Sequence, residues 1–360
     1  MLLSEQWQEK LLEKISQNET PKWMLKRIKK DLAPFTKISK SQLDEIIETA
    51  GVENSYLLVR YEIKNNQLFV SYAKNVETHE RFKIITKTLE SLCKCTPLPN
   101  VDFIISLHDS SPFTGTNDFK GPLLVFAKNQ EKDRHCILIP DFEALEGHSK
   151  LLKDINTANK RFPWSRKVNQ AIWRGGSSGE NNQAFPRIKL VEISLKFPTY
   201  VDAKINPLVQ INKETKKLLI KKGYFGNALL LQDHMRYKYQ ILVDGNTCAY
   251  SRAYWQLFCN SLMFKQDSPN IQWYYDELKP YVHYIPVAHD FTDLIEKIRW
   301  ADEHEKDVEQ IILNANAFGK EKLKHEDVML YLYLLLKEYS NLSGSWLCKN
   351  IAQPRKKVNQ

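Results

Sequence analysis

The chain has 360 residues, of which 42% are hydrophobic and 26% charged, with 15 prolines and 12 glycines. This composition is that of a globular protein and excludes extended disorder, and the length suits two domains of ordinary size. The formal net charge of +9 favours an anionic partner: a nucleotide, a nucleic acid or an acidic lipid surface.

Cysteine usage and the first residues bear on the compartment. The six cysteines form no CxxC pair and no dense framework, so reduced thiols are expected. The opening segment MLLSEQWQEKLLEKIS carries acids and amides where a signal peptide needs an unbroken apolar core, and no apolar run is long enough to span a bilayer. These features predict a cytoplasmic protein.

The first 50 residues are predicted to be helical, and one of their helices is strongly basic. The segment Lys22–Lys30 (KWMLKRIKK) has charged and apolar residues at amphipathic spacing. One interpretation is peripheral contact with an anionic membrane surface. The other is a solvated basic face over ordinary core residues.

An α/β domain is predicted to follow these helices. The run Val101–Leu107 is a strong buried strand, which ends at His108 and Asp109. A carboxylate at the end of such a strand can act as a general base, although an aspartate there can also be a turn or N-cap residue. The neighbouring predicted elements are strands at 56–61, 67–72, 123–127 and 136–139 and a helix at 81–93.

A second α/β domain is predicted from residue 170 onwards. A short strand runs into the loop W-R-G-G-S-S-G at 173–179, and Pro186 opens a helix. The strand 240–243, the turn Asp244-Gly245-Asn246 and a helix capped by Ser251 follow, then strands at 261–265 and 281–287. This alternation is half of a doubly wound sheet, in which ligands bind at the carboxyl ends of the strands.

The cations of this second domain suit a phosphate-bearing ligand. An arginine directly after an N-cap serine directs a cation and free N–H groups to one point, and Arg174 lies beside the glycine-rich loop. No D-x-D motif is present to carry a divalent cation. The residues therefore predict anion binding without metal and without a cofactor.

Several ordered blocks of the second domain resemble a known family. The segment K-Y-x-h-x-h-D-G-N-x-x-x-x-S-R, followed by N-S-L-M-F-K and L-K-P-Y-V-H-Y-I-P-V, resembles glycosyltransferase family 90. That family includes capsule-associated proteins, protein O-glucosyltransferases and bacterial lipopolysaccharide-modifying enzymes. The resemblance covers roughly residues 101–323.

The resemblance implies a GT-B-like α/β fold, with two Rossmann-like domains facing a central cleft and helical N- and C-terminal extensions. The implied boundaries are an N-terminal helical segment plus acceptor-side domain at 1–165 and a donor-binding domain at 166–324. A C-terminal helix at 325–360 is expected to pack back on the first domain.

The resemblance also implies the site residues. Asp109 corresponds to the catalytic base, although the pattern D-S-S-P here has one extra residue before the proline. His108 is the adjacent alternative, with its side chain directed away from that of Asp109 by strand alternation. The implied donor contacts are Arg174, Gly175, Ser177, Lys238, Asp244, Gly245, Ser251 and Arg252.

The implied reaction moves a sugar from a UDP-sugar to a hydroxyl of a glycan, a lipid-linked glycan or a lipopolysaccharide-type acceptor, with inversion and without metal. A bacterial, cytoplasmic enzyme is expected, with peripheral contact at the inner face of the membrane as an option. The alternative is a non-catalytic basic module for nucleic acid or an anionic surface. It explains the charge but not the ordered blocks, and the chain has no nucleic-acid-reading motif, so nucleic acid is not an expected partner.

Overall fold

The computed structural model of the chain describes residues 6–55, 57–73, 75–114, 120–179, 186–343 and 356–357. Residue 56, where the first predicted strand begins, lies outside these ranges. The chain divides into two compact units. Unit 1 comprises Met1–Gly147, Ile271–Glu277 and Lys324–Gln360, and unit 2 comprises His148–Asn270 and Leu278–Leu323.

The elements follow in chain order. The helices are α1 Gln6–Ser16, α2 Lys22–Leu32, α3 Lys40–Ser55, α4 Glu80–Cys95, α5 Phe142–Glu146, α6 Ser149–Arg161, α7 Arg187–Lys196, α8 Lys213–Lys221, α9 Leu231–His234, α10 Tyr250–Gln256, α11 Leu294–Glu303, α12 Glu305–Lys322 and α13 His325–Leu342. The strands are β1 Leu58–Lys64, β2 Gln67–Ser71, β3 Val101–Ser106, β4 Leu123–Val125, β5 Lys128–Asn129, β6 Cys136–Leu138, β7 Val168–Gly175, β8 Val201–Ile205, β9 Tyr237–Leu242, β10 Leu262–Gln266, β11 Asn270–Ile271, β12 Ile285–Val287 and β13 Lys356–Lys357.

Unit 1 is built on a mixed sheet in the order β13-β2-β1-β3-β4-β6. Strand β1 pairs antiparallel with β2 and β3, whereas β3, β4 and β6 are parallel. Every residue of β3 is buried, because the strand is covered on both faces. The carboxyl ends of the three parallel strands therefore share one edge, and Asp109 follows β3 at that edge.

The basic helix α2 uses its apolar side in the core of unit 1. Met24, Ile28 and Leu32 are buried. Arg27 is also buried and bonds Asp31, which in turn accepts hydrogen bonds from Lys128 Nζ and, at 3.0 Å, from the amide of Leu138. The solvated-face interpretation fits this arrangement, because an interfacial helix needs a free apolar face and α2 has none.

The C-terminal helix α13 belongs to unit 1, where it packs against α1, α2, α5 and β3. Its Tyr331 and Tyr339 are fully buried, which accounts for the apolar character of the sequence here. None of the described helices is both long enough and apolar enough to cross a membrane.

Unit 2 is built on a wholly parallel sheet in the order β12-β10-β9-β7-β8. Counted along the chain from β7, this is the order 5-4-3-1-2, a doubly wound arrangement. The chain leaves β7 to form β8 on one side and returns to form β9 on the other. The topological switch point, where such sheets bind ligands, therefore lies between the carboxyl ends of β7 and β9.

Two boundaries differ from those expected from the sequence. Helix α6 lies in unit 2 rather than before a boundary at residue 165, since Asn159 bonds the carbonyl of Phe258 and the amide of Asn260. The strand expected over 281–287 is limited to β12, because Tyr281 has a φ of 60° and cannot continue an extended strand.

Candidate functional site

The switch point of unit 2 collects most of the donor residues expected from the sequence. Arg174 and Gly175 end strand β7, and Asp244 and Gly245 follow β9, so that they share one edge of the parallel sheet. The side chain of Arg252 reaches the same place and donates a hydrogen bond from Nη2 to the carbonyl of Arg174. Two loops distant in sequence therefore meet here.

The expected helix cap at Ser251 is wrong. Helix α10 begins at Tyr250 after Ala249, whose side chain provides no capping hydrogen bond, so Ser251 is the second residue of the helix. The reason is that the turn after β9 is shorter than the sequence suggested. Arg252 consequently lies within the first turn of α10, with its guanidinium 5.8 Å from the ring of Trp255.

Arg252 is a cation without a counter-ion in the part of the chain that the structure describes. Its Nη1 is buried and has no hydrogen-bond partner, and no carboxylate lies within 4.0 Å of it there. Burial, and to a lesser degree the nearby charge of Arg187, lowers the pKa of Arg252 to about 10. A desolvated cation in this state is stabilised by a bound anion.

Arg187 was missed in the sequence and is central to the site. It is the first residue of α7, directly after Pro186. Its Nε donates to the carbonyl of Asp244 at 2.9 Å, and its Nη1 donates to the carbonyl of Gly176 at 2.7 Å and to Ser178 Oγ at 2.9 Å. One guanidinium thus ties the loop after β7 to the loop after β9.

Gly245 is explained by this arginine and not by backbone conformation. Neither Gly245 nor Asn246 has a positive φ, contrary to the tight turn expected from the sequence. A Cβ added at Gly245 would instead lie 2.5 Å from Arg187 Nη2. Glycine is therefore required for the close approach of the guanidinium to the backbone.

Arg174 and Ser177 hold the site in shape. Arg174 is part of β7 rather than of the glycine-rich loop, and its guanidinium pairs with the Asp202 carboxylate at 2.9 Å and bonds the carbonyl of Asn227 at 3.1 Å. Ser177 is fully buried, and its Oγ both donates to the carbonyl of Val209 and accepts from its amide. These contacts occupy the groups that the sequence suggested were available to a ligand.

Asp244 and Lys238 differ in position. The Asp244 carboxylate accepts hydrogen bonds from Ser268 Oγ at 2.5 Å and Asn270 Nδ2 at 3.0 Å, and burial raises its pKa. Lys238 lies at the amino end of β9, the opposite edge of the sheet, where it pairs with Glu305 at 3.3 Å. The structure therefore does not bring Lys238 to the cluster.

Buried polar atoms around the switch point lack partners among the described residues. They are Trp173 Nε1, Thr247 Oγ1 and Arg252 Nη1. Buried polar atoms are ordinarily hydrogen-bonded, so unpaired donors beside two arginines indicate a place for an acceptor-rich anion. No cluster of three His, Cys, Asp or Glu side chains that could hold a metal ion occurs in the described ranges.

His234, at the end of α9, lies against the arginines from below. Its ring centre is 5.7 Å from that of Trp255, and its Nδ1 is buried without a partner in the described structure. Burial, followed by the charges of Arg252 and Arg174, lowers the pKa of His234 to about 3. The imidazole is therefore neutral wherever the fold is intact near neutral pH.

Acid should destabilise the wild-type chain through His234. The unfolded chain binds a proton near the ordinary pKa of 6.5, whereas the folded chain does so only near 3. Between these values the unfolding free energy falls as pH falls, by about 1.4 kcal/mol per pH unit. Urea unfolding of wild type and His234→Gln across pH 4–7 should give a shallower slope for the variant; parallel curves would contradict this.

The candidate base Asp109 lies in unit 1 and is held by an ion pair. Arg81 Nη2 donates to Asp109 Oδ1 at 2.6 Å, and Arg81 Nη1 donates to the carbonyl of Leu107 at 2.6 Å. The Asp109 side chain keeps 35% exposure. Strand β3 ends at Ser106, so His108 and Asp109 lie in a bend and the alternation expected to separate their side chains does not apply.

Comparison with known proteins identifies the family. Residues 16–349 match the model of glycosyl transferase family 90. The chain belongs to this family. The match extends well beyond the 101–323 expected from the sequence blocks, so that most of the helical N-terminal region is part of the family's domain as well. It also favours the transferase interpretation over a non-catalytic basic module.

Curated relatives in family 90 include animal enzymes. Over 324 residues the chain is 30% identical to protein O-glucosyltransferase 2 of Danio rerio, covering 88% of this chain and 62% of that protein. It is 29% identical over 331 residues to human protein O-glucosyltransferase 3, covering 89% and 62% respectively. The chain thus spans about three fifths of the length of these relatives. Among solved structures, Anabaena HepE in complex with UDP and glucose superposes with a TM-score of 0.44 at 12% identity, covering 72% of this chain and 76% of that one.

Proposed function

We propose that the chain is a glycosyltransferase that moves a sugar from a UDP-sugar to an acceptor hydroxyl. The observation that carries the proposal is the desolvated, uncompensated Arg252 beside Arg187 at the switch point of unit 2 in a family-90 chain. A nucleoside diphosphate supplies the anion that this pair lacks. Asp244 and Gly245 form the backbone support of the same site.

The two arginines would stabilise the departing diphosphate. As the bond between the anomeric carbon and the diphosphate breaks, negative charge develops on the phosphate oxygens. Guanidinium groups already desolvated and fixed by hydrogen bonds stabilise that charge without reorganisation. The reaction therefore requires no metal ion.

Asp109 would act as the base of an inverting displacement. Its carboxylate accepts the proton of the acceptor hydroxyl while the acceptor oxygen bonds the anomeric carbon and UDP leaves from the opposite face. The ion pair with Arg81 fixes the orientation of the carboxylate. In this scheme unit 1 serves the acceptor and unit 2 the donor, as in a GT-B enzyme.

The sugar and the acceptor are proposed from the relatives and the charge. The relatives are named as protein O-glucosyltransferases, so glucose is the first sugar to test. A glycan or lipid-linked, lipopolysaccharide-type acceptor in a bacterial cytoplasm remains our proposal for this basic chain. Hydrolysis of a panel of UDP- and GDP-sugars without acceptor tests the donor: UDP release from one sugar supports the proposal, and hydrolysis confined to GDP-sugars contradicts it.

Donor binding should be independent of metal, because the cations of the site are arginine side chains. UDP should raise the melting temperature of the chain equally in EDTA and in Mn²⁺. Thermal denaturation followed by fluorescence measures this directly. A shift seen only with Mn²⁺ would mean that a metal ion carries the diphosphate.

A further inference from the structure

A basic and apolar surface of unit 2 is not used by the proposed reaction. It consists of helix α8 and the segment that follows it, and we call it the α8 surface. Its members are Lys213, Lys216, Lys217, Leu218, Ile220, Lys221, Lys222, Phe225 and Leu230.

The apolar members of the α8 surface lack a core. Leu219 is the one residue of α8 that is buried. Its neighbours Leu218 and Ile220 are 49% and 54% exposed, and Leu230 is 75% exposed. Single exposed apolar residues are ordinary, but several along one short segment rimmed by charges mark an interaction surface.

The charge of this surface is not neutralised by the protein. Residues 213–222 contain five lysines and one glutamate. Within the described ranges, no carboxylate lies within 4.0 Å of any of these lysines, although lysines elsewhere in unit 2 do pair, as Lys150 with Asp154 at 2.9 Å. The surface therefore presents free positive charge.

The backbone beside α8 is already satisfied at the edge of the sheet. Strand β8 is the edge strand, and at its end the amide of Ile205 donates to the carbonyl of Tyr224 at 2.9 Å while its carbonyl accepts from the amide of Gly226 at 3.3 Å. A partner that adds a strand would find these groups occupied. Recognition here depends on side chains.

We propose that the α8 surface docks on an anionic lipid bilayer. Lysines on flexible stems reach laterally mobile headgroups, and exposed leucine, isoleucine and phenylalanine side chains enter the boundary with the acyl chains. Lysine rather than arginine suits this partner, because no fixed array of carboxylates has to be matched in a bidentate manner. The exposed lysines of α2 lack the apolar component, since that helix buries its apolar side.

The test uses the whole chain and vesicles of phosphatidylglycerol or of phosphatidylcholine alone. Wild type should sediment with the anionic vesicles and not with the neutral ones. The triple variant Lys217→Glu/Lys221→Glu/Lys222→Glu should partition at least about a hundredfold less, since each cation contributes roughly a fivefold factor near an anionic surface. The variant Leu218→Ser/Ile220→Ser should partition about tenfold less, because its charge is unchanged but its apolar area is lost.

The matched control makes the same charge change on the other basic helix. Lys22→Glu/Lys26→Glu/Lys29→Glu should sediment nearly as wild type. Equal loss in this control would overturn the assignment to α8. Wild type that ignores anionic vesicles but is retained on immobilised polyglutamate would overturn it in favour of an acidic protein. The UDP-induced rise in melting temperature should persist in every variant, which separates this proposal from that of the donor site.

Discussion

Replacing Asp109 by asparagine is expected to lower sugar transfer by about 10²–10⁴-fold, the usual contribution of a positioned general base. Asparagine keeps the shape and can still accept a hydrogen bond from Arg81, but it cannot take the proton of the acceptor hydroxyl. UDP affinity should be unchanged, because the donor contacts belong to unit 2. Single-turnover transfer and calorimetric titration of UDP measure the two effects separately.

The control for this variant is Asp44→Asn. Asp44 is likewise paired with an arginine, Arg60, and its side chain is 45% exposed, but it lies on α3 and not at the end of β3. Transfer should stay near that of wild type. Near-normal transfer by Asp109→Asn would assign the base to another residue, with His108 the next to test, whereas a lower melting temperature would assign Asp109 a structural role.

Replacing Arg252 by alanine should cost about 2–4 kcal/mol of transition-state stabilisation, because the developing charge of the diphosphate loses a desolvated cation. The variant removes a group whose Nη1 has no partner in the described structure, so little native bonding is lost besides the contact to the Arg174 carbonyl. Arg252→Lys should recover part of the activity, since lysine restores the charge but not the planar fork. Measurement of kcat/KM for the three proteins gives these differences.

Lys238→Ala is the matched control, because it also removes one cation from unit 2 but at the opposite edge of the sheet. Its kcat/KM should stay within about twofold of wild type, the range of an exposed ion pair. Arg252→Ala within about threefold of wild type would contradict a role for Arg252 in holding the diphosphate.

The sequence predicted the architecture of unit 2 well, because its elements are locally encoded. Apolar β-branched runs separated by helical spacing predicted β9, α10 and β10, and the proline at 186 predicted α7. The same logic predicted the buried strand β3 and placed Asp109 after it. Parallel strands then bring their carboxyl ends to one edge, as the doubly wound arrangement requires.

The contacts within the site could not be predicted, because they depend on long-range packing. Whether Arg174 or Arg252 is left without a carboxylate depends on Asp202, which reaches Arg174 only once β8 pairs with β7. Arg187 carried only the weak signal of an arginine after a proline and a glycine-rich loop. Its proximity to Gly245 follows from the order of strands and is invisible in the sequence.

The boundary between the units was misplaced for a related reason. The short segment Ile271–Glu277 belongs to unit 1, where Trp273 packs on Tyr331 with ring centres 4.7 Å apart and Asp276 pairs with Arg27 at 3.0 Å. A domain that takes back one turn of chain from the middle of another leaves no change of composition to mark it. Only the burial of Trp273 shows where the segment packs.

The most direct test of the account is a crystal structure of the chain with UDP. The account predicts the diphosphate at the switch point between β7 and β9, with its oxygens within hydrogen-bond distance of Arg252 Nη1 and of the Arg187 guanidinium. UDP bound elsewhere in the chain, or bound at the switch point with Arg252 still unpartnered, would contradict it.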